Sequence, residues 1–158
     1  MVCLGNICRS PIAEGVMKKK LLDLNIDGIV DSAGTGSWHV GEKPDYRAFK
    51  TAQKNGVDIS SQRARQITKK DFKKFDLIYV MDREVYDHVT RLAGINSVES
   101  RKVDFLMNVL EPESDRPVPD PYYGGDNGFD IVYEMIHEAC EKIAENILKA
   151  QKESSRQN

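Results

Sequence analysis

The chain has few of the residues that mark secreted, membrane-embedded or metal-binding proteins. Its 158 residues include three cysteines, Cys3, Cys8 and Cys140, and three histidines. An odd cysteine count, with no basic and apolar leader before Cys3, argues against a secreted disulfide framework. The histidines lack the spacing of metal ligands, and no apolar run is long enough to span a bilayer. We therefore expect a cytoplasmic protein with no bound metal and no membrane partner.

The chain also lacks an excess of charge of either sign. Its formal net charge is −2, which provides no basic field for binding nucleic acid or an anionic surface. Hydrophobic residues make up 40% and charged residues 30% of the sequence, as in ordinary globular domains. The length favours a single core. We predict one domain over residues 1–150 and a disordered tail over 151–158, which ends in the polar letters KESSRQN.

Apolar patterns alternate between strand and helix periods along the chain. They predict, after a first strand that ends at Cys3, strands over 28–34, 76–81 and 101–106 and helices over 10–24, 45–55, 68–75, 82–93 and 129–149. Ser10, Asp45 and Asp82 are suitable N-cap residues for three of these helices. Alternating strands and helices predict an α/β fold, a doubly wound sandwich of three layers with a parallel sheet in the middle. Such sheets bind ligands beyond the carboxyl ends of their strands.

The stretch CLGNICRSP, between the first strand and the first helix, contains most of the reactive side chains. Gly5 and Asn6 tolerate a positive φ angle, so the loop can curl and direct successive N–H groups at one anion. The helix N-terminus adds partial positive charge, and Arg9 adds a two-pronged donor suited to phosphate oxygens. The same field, with a hydrogen bond from Ser10, would stabilise a thiolate at Cys3, which predicts a nucleophile beneath a bound phosphoryl group. The alternative is a buried cysteine at a strand end.

A second stretch, RPVPDPYYGG, offers a group that could protonate a leaving oxygen. Asp120 lies between Pro119 and Pro121, and a residue that precedes proline is held extended. A stiff loop can hold a carboxylate over a site, which makes Asp120 a hypothetical general acid. An ordinary Pro-Asp-Pro surface turn explains the same letters equally well.

Together, VCLGNICRSPIAE and DPYYG resemble the low-molecular-weight protein tyrosine phosphatases. The resemblance extends over nearly the whole chain, through DSAGTGSWHVGEKPDYRA, ARQIT, FDLIYVMD and the closing helix. It implies a central four-stranded parallel sheet of order 2-1-3-4 with helices on both faces. It also implies hydrolysis of phosphotyrosine-containing protein substrates, with inorganic phosphate as product and without a cofactor. We expect a monomer or weak self-association, and no nucleic-acid partner.

The resemblance implies a role for each matching residue. Cys3 would form a phosphocysteine intermediate, Arg9 would bind the phosphate, and Asp120 would act first as general acid and then as general base. The other implied positions are the thiolate-stabilising Ser10, the phosphate-binding loop residues Leu4, Gly5, Asn6, Ile7 and Cys8, the supporting residues Asn6 and Ser32, and the cleft residues Ile7, Trp38, Tyr122 and Tyr123.

The resemblance leaves the roles of Cys8, Gln62 and the first strand open. In this family the second loop cysteine can form a protective disulfide with the nucleophile, whereas Cys8 is equally compatible with a small apolar loop residue. Animal members carry a histidine near position 62, in the network behind the loop asparagine. Gln62 would be the supporting residue at that place, and its amide can hydrogen-bond there but cannot take up charge. Members usually open with several apolar strand residues. Only Met1 and Val2 precede Cys3, and we expect further residues to complete that strand.

Other functions are compatible with an anion-binding loop that carries a cysteine. A protein-arginine phosphatase of the same fold typically has threonine where this chain has Ile7, and isoleucine favours an aryl ester over a guanidinium. A thiol-dependent arsenate reductase needs further cysteines in mid-chain, and none lies between Cys8 and Cys140. A phosphocysteine carrier must keep the intermediate that Arg9 and Asp120 would discharge, and a non-catalytic binding module needs no such pair. We therefore favour phosphotyrosine hydrolysis.

Overall fold

A parallel sheet lies at the centre of the protein, as seen in a computed structural model that describes residues 1–156. Its spatial order is 2-1-3-4, and neighbouring strands are parallel throughout. The strands are β1 (Val2–Cys3), β2 (Ala33–Gly34), β3 (Ile78–Val80) and β4 (Val103–Phe105). Val2 lies opposite both Ala33 and Val80, which puts β1 in the middle of the sheet. The predicted strand order is confirmed.

Five α-helices connect or follow these strands within residues 1–156. They are α1 (Arg9–Asp23), α2 (Tyr46–Lys54), α3 (Asp71–Lys74), α4 (Arg83–Ala93) and α5 (Gly128–Arg156). The caps of α2 and α4 are those predicted, because the Asp45 and Asp82 carboxylates accept hydrogen bonds from N–H groups of the first turn. The predicted cap of α1 was wrong. Ser10 lies inside its first turn, where its hydroxyl contacts the Cys3 sulfur instead.

The end of the chain also differs from the prediction. Residues 151–156, predicted to be disordered, continue α5, and residues 157–158 lie outside the described part of the chain. The segment contains good helix formers, and the hydroxyls of Ser154 and Ser155 donate to the carbonyls one turn earlier. Among the described residues, no helix, including the 29-residue α5, is long and apolar enough to cross a membrane.

Apolar side chains pack on both faces of the sheet. On one face α1, α2 and α5 enclose a core that includes Ile12 and Ile136. On the other face, Phe72 of α3 and Val85 and Val89 of α4 pack against the strands. The three-layer arrangement places the loop after β1 at the carboxyl edge of the sheet, between covered faces.

A cavity of about 460 Å³ lies at the opposite end of β1. Side chains from α1, α5 and the segments flanking β2 and β3 line it together with Met1 and Val2. The Met1 ammonium donates to the carbonyl oxygen of Asp31 over 3.1 Å, and burial lowers its pKa. Of the two expected strand residues, Val2 belongs to β1, and Met1 immediately precedes it.

Candidate active site

The loop of residues 4–8 curls between β1 and α1 around one asparagine. Asn6 has a φ of 58°, a left-handed conformation that asparagine tolerates better than most residues. Its Oδ1 accepts from the N–H of Arg65 over 2.9 Å, and its Nδ2 donates to Ser10 Oγ over 2.8 Å and to Ser32 Oγ over 3.0 Å. Three hydrogen bonds from three segments therefore hold the loop in its curled shape.

The Cys3 sulfur lies inside this curl with two donors directed at it. The N–H of Asn6 is 3.3 Å from the sulfur, and Ser10 Oγ is 3.0 Å from it. Because Asn6 already donates to the Ser10 oxygen, the single hydroxyl proton of Ser10 is free to point away from Asn6. Its other acceptor, the Ala33 carbonyl, is at 3.5 Å, so the sulfur is the closer target. Both donors stabilise negative charge on the sulfur.

Arg9 is almost fully buried and is held in place by a residue whose role the sequence analysis missed. Its Nη1 donates to Asp82 Oδ2 over 2.6 Å and to the Val118 carbonyl over 2.9 Å. Asp82 was predicted only as the cap of α4, and its other oxygen does accept from the N–H of Val85 over 3.0 Å. One signal could have revealed the second contact. Asp82 follows a buried strand beside β1, at the sheet edge where ligands bind.

Asp120 faces Arg9 from the loop that precedes α5. Its Oδ2 lies 3.7 Å from Arg9 Nη2. Its Oδ1 accepts from the N–H of Tyr122 over 3.0 Å, which makes Asp120 the cap of a short 3-10 turn, Pro121–Tyr123. Its backbone is extended, at φ −75° and ψ 112°, as expected for a residue that precedes proline. The carboxyl group is therefore held near Arg9, above the loop that follows Cys3.

A cleft of about 300 Å³ opens above the sulfur. Its lining residues come from the loop after β1, the segment after β2 and the Asp120 turn. They are Cys3, Leu4, Gly5, Ile7, Cys8, Arg9, Trp38, His39, Asp120, Tyr122 and Tyr123. Trp38 is 70% exposed and Tyr123 is 87% exposed, so both stand at the rim. The sequence analysis missed His39, whose ring lies where a side chain at position 5 would point and whose Nδ1 lies 2.7 Å from Glu42 Oε2.

Comparison with known proteins agrees with this geometry over nearly the whole chain. Residues 1–154 match the family profile described as "Low molecular weight phosphotyrosine protein phosphatase". This chain belongs to the low molecular weight phosphotyrosine protein phosphatase family. The human protein of that name is 41% identical over 146 residues, which cover 91% of each chain.

Solved structures of similar proteins show the same fold. A protein tyrosine phosphatase from Entamoeba histolytica superimposes with a TM-score of 0.86 at 36% identity, covering 95% of this chain and 96% of that one. An arginine phosphatase from Drosophila superimposes with a TM-score of 0.84 at 32% identity, covering 92% and 94%. The resemblance to low-molecular-weight phosphatases is confirmed.

Behind the loop of residues 4–8, two residues were expected to support Asn6. Ser32 contacts it and Gln62 does not. Ser32 accepts from Asn6 and donates to the buried carboxylate of Glu14, a residue that the sequence analysis missed. Gln62 does not reach Asn6. Its Nε2 donates to the Pro11 carbonyl over 3.0 Å, and its Oε1 is buried without a partner within the described residues. The Asn6 oxygen is bonded to a backbone N–H instead, so Gln62 lies outside the hydrogen bonds around Asn6 among which it was expected.

The second loop cysteine of this phosphatase is a buried free thiol. Burial, and then the negative charge of Asp45, raise the pKa of the Cys8 thiol well above its ordinary value. Cys3 and Cys140 are also free, and the redox role of Cys8 stays a prediction. Within residues 1–156, no three histidine, cysteine or acidic side chains lie close enough together to hold a metal ion.

Proposed function

We propose that this family member hydrolyses phosphotyrosine monoesters through a phosphocysteine intermediate at Cys3. The observation that carries the proposal is the position of three groups around one cleft. At its base the Cys3 sulfur accepts from the N–H of Asn6 and lies 3.0 Å from Ser10 Oγ, and at its mouth Asp120 lies 3.7 Å from buried Arg9. A phosphoryl group between them would meet a nucleophile on one side and a proton donor on the other.

In the first step the Cys3 thiolate attacks phosphorus, and the bond from phosphorus to the phenolic oxygen breaks. Arg9 and the loop N–H groups balance the negative charge of the phosphoryl oxygens, as preorganised donors do in phosphoryl transfer. Protonated Asp120 gives its proton to the departing phenolic oxygen. The tyrosine side chain leaves as a neutral phenol.

In the second step the phosphocysteine is hydrolysed. Asp120, now a carboxylate, takes a proton from a water molecule, whose oxygen attacks phosphorus on the face that the phenol left. The sulfur–phosphorus bond breaks, inorganic phosphate is released, and the thiolate of Cys3 is restored. Ser10 supports this step because its hydroxyl can hydrogen-bond the leaving sulfur, 3.0 Å away.

The shape of the cleft favours an aromatic ester. Trp38, Tyr122 and Tyr123 offer ring faces and edges against which a phenyl ring can pack, and Ile7 adds an apolar contact at the same cleft. The family membership supports phosphoproteins as the substrate class. Which phosphoprotein is bound depends on rim side chains that are largely exposed.

One comparison gives weight to a second candidate, hydrolysis of phosphoarginine. The Drosophila arginine phosphatase shares the fold at 32% identity. A guanidinium leaving group would need polar partners in the cleft, where this chain places the aliphatic Ile7. We therefore rank phosphotyrosine first.

The test compares the turnover of a phosphotyrosine peptide, phosphoarginine and arsenate by the wild-type protein, two site variants and one control variant. Cys3→Ser should abolish phosphatase activity. Asp120→Asn should lower kcat/KM for the phosphotyrosine peptide by about 10²-fold or more, the ordinary contribution of general acid catalysis. Asp126→Asn, an exposed acid in the same loop, is the matched control and should retain wild-type rates.

Circular dichroism of each variant must show a folded protein. Full activity in folded Cys3→Ser would refute the covalent mechanism. Faster turnover of phosphoarginine than of phosphotyrosine would replace the first candidate with the second.

A further inference from the structure

Arg47, on α2, links the turn that carries Asp120 to the rest of the site, although it does not line the cleft. Its Nη1 donates to the carbonyl oxygen of Tyr122 over 3.2 Å. Its Nε and Nη2 each donate over 3.0 Å to the carboxylate of Asp45. One edge of the guanidinium therefore binds the Asp45 carboxylate, and another binds the Tyr122 carbonyl in the turn that carries Asp120.

The other end of this link reaches the loop of residues 4–8, which follows Cys3. The N–H of Asp45 donates to the carbonyl oxygen of Ile7 over 2.8 Å. Burial by itself would raise the pKa of the Asp45 carboxyl, but the hydrogen bonds from Arg47 outweigh it and hold the pKa below its ordinary value. Asp45 thus holds Arg47 through its charged carboxylate, and its backbone is hydrogen-bonded to the loop of residues 4–8.

Two aromatic rings lie against the Arg47 guanidinium. The Arg47 Cζ lies 5.0 Å from the ring centroid of Tyr122 and 4.8 Å from that of Phe129. Both distances are within the range of cation–π contact. The bidentate contact and the two rings leave Arg47 little freedom, even though its side chain is 46% exposed.

Tyr122 transmits this constraint to Asp120. Its carbonyl is held by Arg47, and its N–H donates to Asp120 Oδ1 over 3.0 Å. A shift of the Tyr122 backbone would move the donor that orients the carboxyl group. We propose that Arg47 is a positioning residue, which holds the proton of Asp120 in line with the leaving oxygen by fixing Tyr122 against α2.

This inference rests on the proposed phosphatase function and refines it. The carboxylate of Asp45 neutralises the charge of Arg47. The effect of Arg47 on Asp120 is therefore chiefly geometric. A geometric effect has a distinct kinetic signature. It slows only those substrates whose leaving group needs a proton, because good leaving groups depart without general acid help.

The experiment measures kcat/KM for a phosphotyrosine peptide and for 2,4-dinitrophenyl phosphate, with poor and good leaving groups respectively. Arg47→Met, which keeps the length of the side chain, should lower kcat/KM for the peptide by about tenfold or more, since small misplacements of catalytic groups have effects of this size. Its kcat/KM for dinitrophenyl phosphate should stay within about threefold of wild type. Arg47→Lys retains one donor group, and its kcat/KM for the peptide should lie between those of the wild type and of Arg47→Met.

Two further variants separate positioning from general damage. Arg91→Met removes another exposed guanidinium that donates to a backbone carbonyl, that of Asp87, and should change neither rate. In an Asp120→Asn background, Arg47→Met should cause little further loss with the peptide, because the group that it positions has lost its acid function.

The outcomes distinguish this inference from the function on which it rests. A wild-type protein without Cys3-dependent hydrolysis would refute the proposed function itself. If the wild type is active and Arg47→Met lowers kcat/KM equally for both substrates, or for neither, the positioning role alone is overturned. Additive losses in the double variant with Asp120→Asn would also overturn it.

Discussion

Replacing Asp82 with serine should separate its two roles. One carboxylate oxygen caps α4 through the N–H of Val85, and the other accepts from Arg9 over 2.6 Å. Serine is a good N-cap, but its hydroxyl is too short to reach the arginine as well. Asp82→Ser therefore keeps the helix start and removes the brace of the phosphate-binding residue, whereas Asp82→Ala removes both.

The loss of stability follows from the burial of the pair. The side chain of Arg9 is 3% exposed and that of Asp82 is 27% exposed. Removing one partner of a fully buried ion pair costs about 3–5 kcal/mol. Solvent at Asp82 and the remaining bond to Val118 reduce this to about 2 kcal/mol for Asp82→Ser. Asp82→Ala should lose about 1 kcal/mol more, the usual contribution of a cap.

Thermal denaturation and steady-state kinetics check the two roles separately. A loss of about 2 kcal/mol should lower Tm by about 4–8 °C in a chain of this size. Both variants should lose about tenfold or more in kcat/KM, because Arg9 is no longer aimed at the phosphoryl oxygens. Asp87→Ser, an exposed acid on the same helix, is the control. An Asp82→Ser variant with wild-type Tm and wild-type kcat/KM would show that Asp82 does not hold Arg9.

Two further predictions follow from shifted pKa values. Burial would raise the pKa of the Asp71 carboxyl, but hydrogen bonds from Arg65 of 3.0 and 2.9 Å help to hold it below its ordinary value. Its stabilising effect is thus present above a pH of about 4 and lost as the pH falls. Asp71→Asn should lower the free energy of unfolding at pH 7 by about 2 kcal/mol and flatten its decline in acid, whereas parallel pH curves would contradict this. Iodoacetamide at neutral pH should alkylate Cys3 and spare Cys8 and Cys140, because the thiolate is the form that reacts. Burial raises the pKa of both spared thiols, that of Cys140 to about 12. Peptide mass spectrometry that finds Cys8 labelled as much as Cys3 would contradict this prediction.

Features of the fold that depend on neighbouring residues could be predicted from the sequence. The caps at Asp45 and Asp82 act within three residues, and the apolar stripes of the helices repeat at a period that the letters display. The order of the strands came from the resemblance to a family, since periodicity alone does not fix which strands are neighbours.

Features that depend on distant residues could not be predicted. The carboxylate that braces Arg9 is 73 positions away along the chain, and nothing in the local pattern distinguishes a cap that also binds an arginine. Ser10 satisfied the local rule for an N-cap, but in the folded chain it lies inside α1, and its hydroxyl contacts the sulfur of Cys3. Gln62 was placed by analogy with a histidine, and its amide found a helix carbonyl instead.

The hydrogen bonds behind the loop of residues 4–8 form a chain with a defined order of donors and acceptors. An ionised carboxylate only accepts hydrogen bonds, so Glu14 requires the proton of the Ser32 hydroxyl. The Ser32 oxygen must then accept, and Asn6 supplies one amide proton to it and the other to Ser10. Each hydroxyl has one proton to give, and of the two acceptors that remain for Ser10 the Cys3 sulfur, at 3.0 Å, is closer than the Ala33 carbonyl, at 3.5 Å. A buried acid outside the cleft thereby sets the orientation of the proton that stabilises the nucleophile.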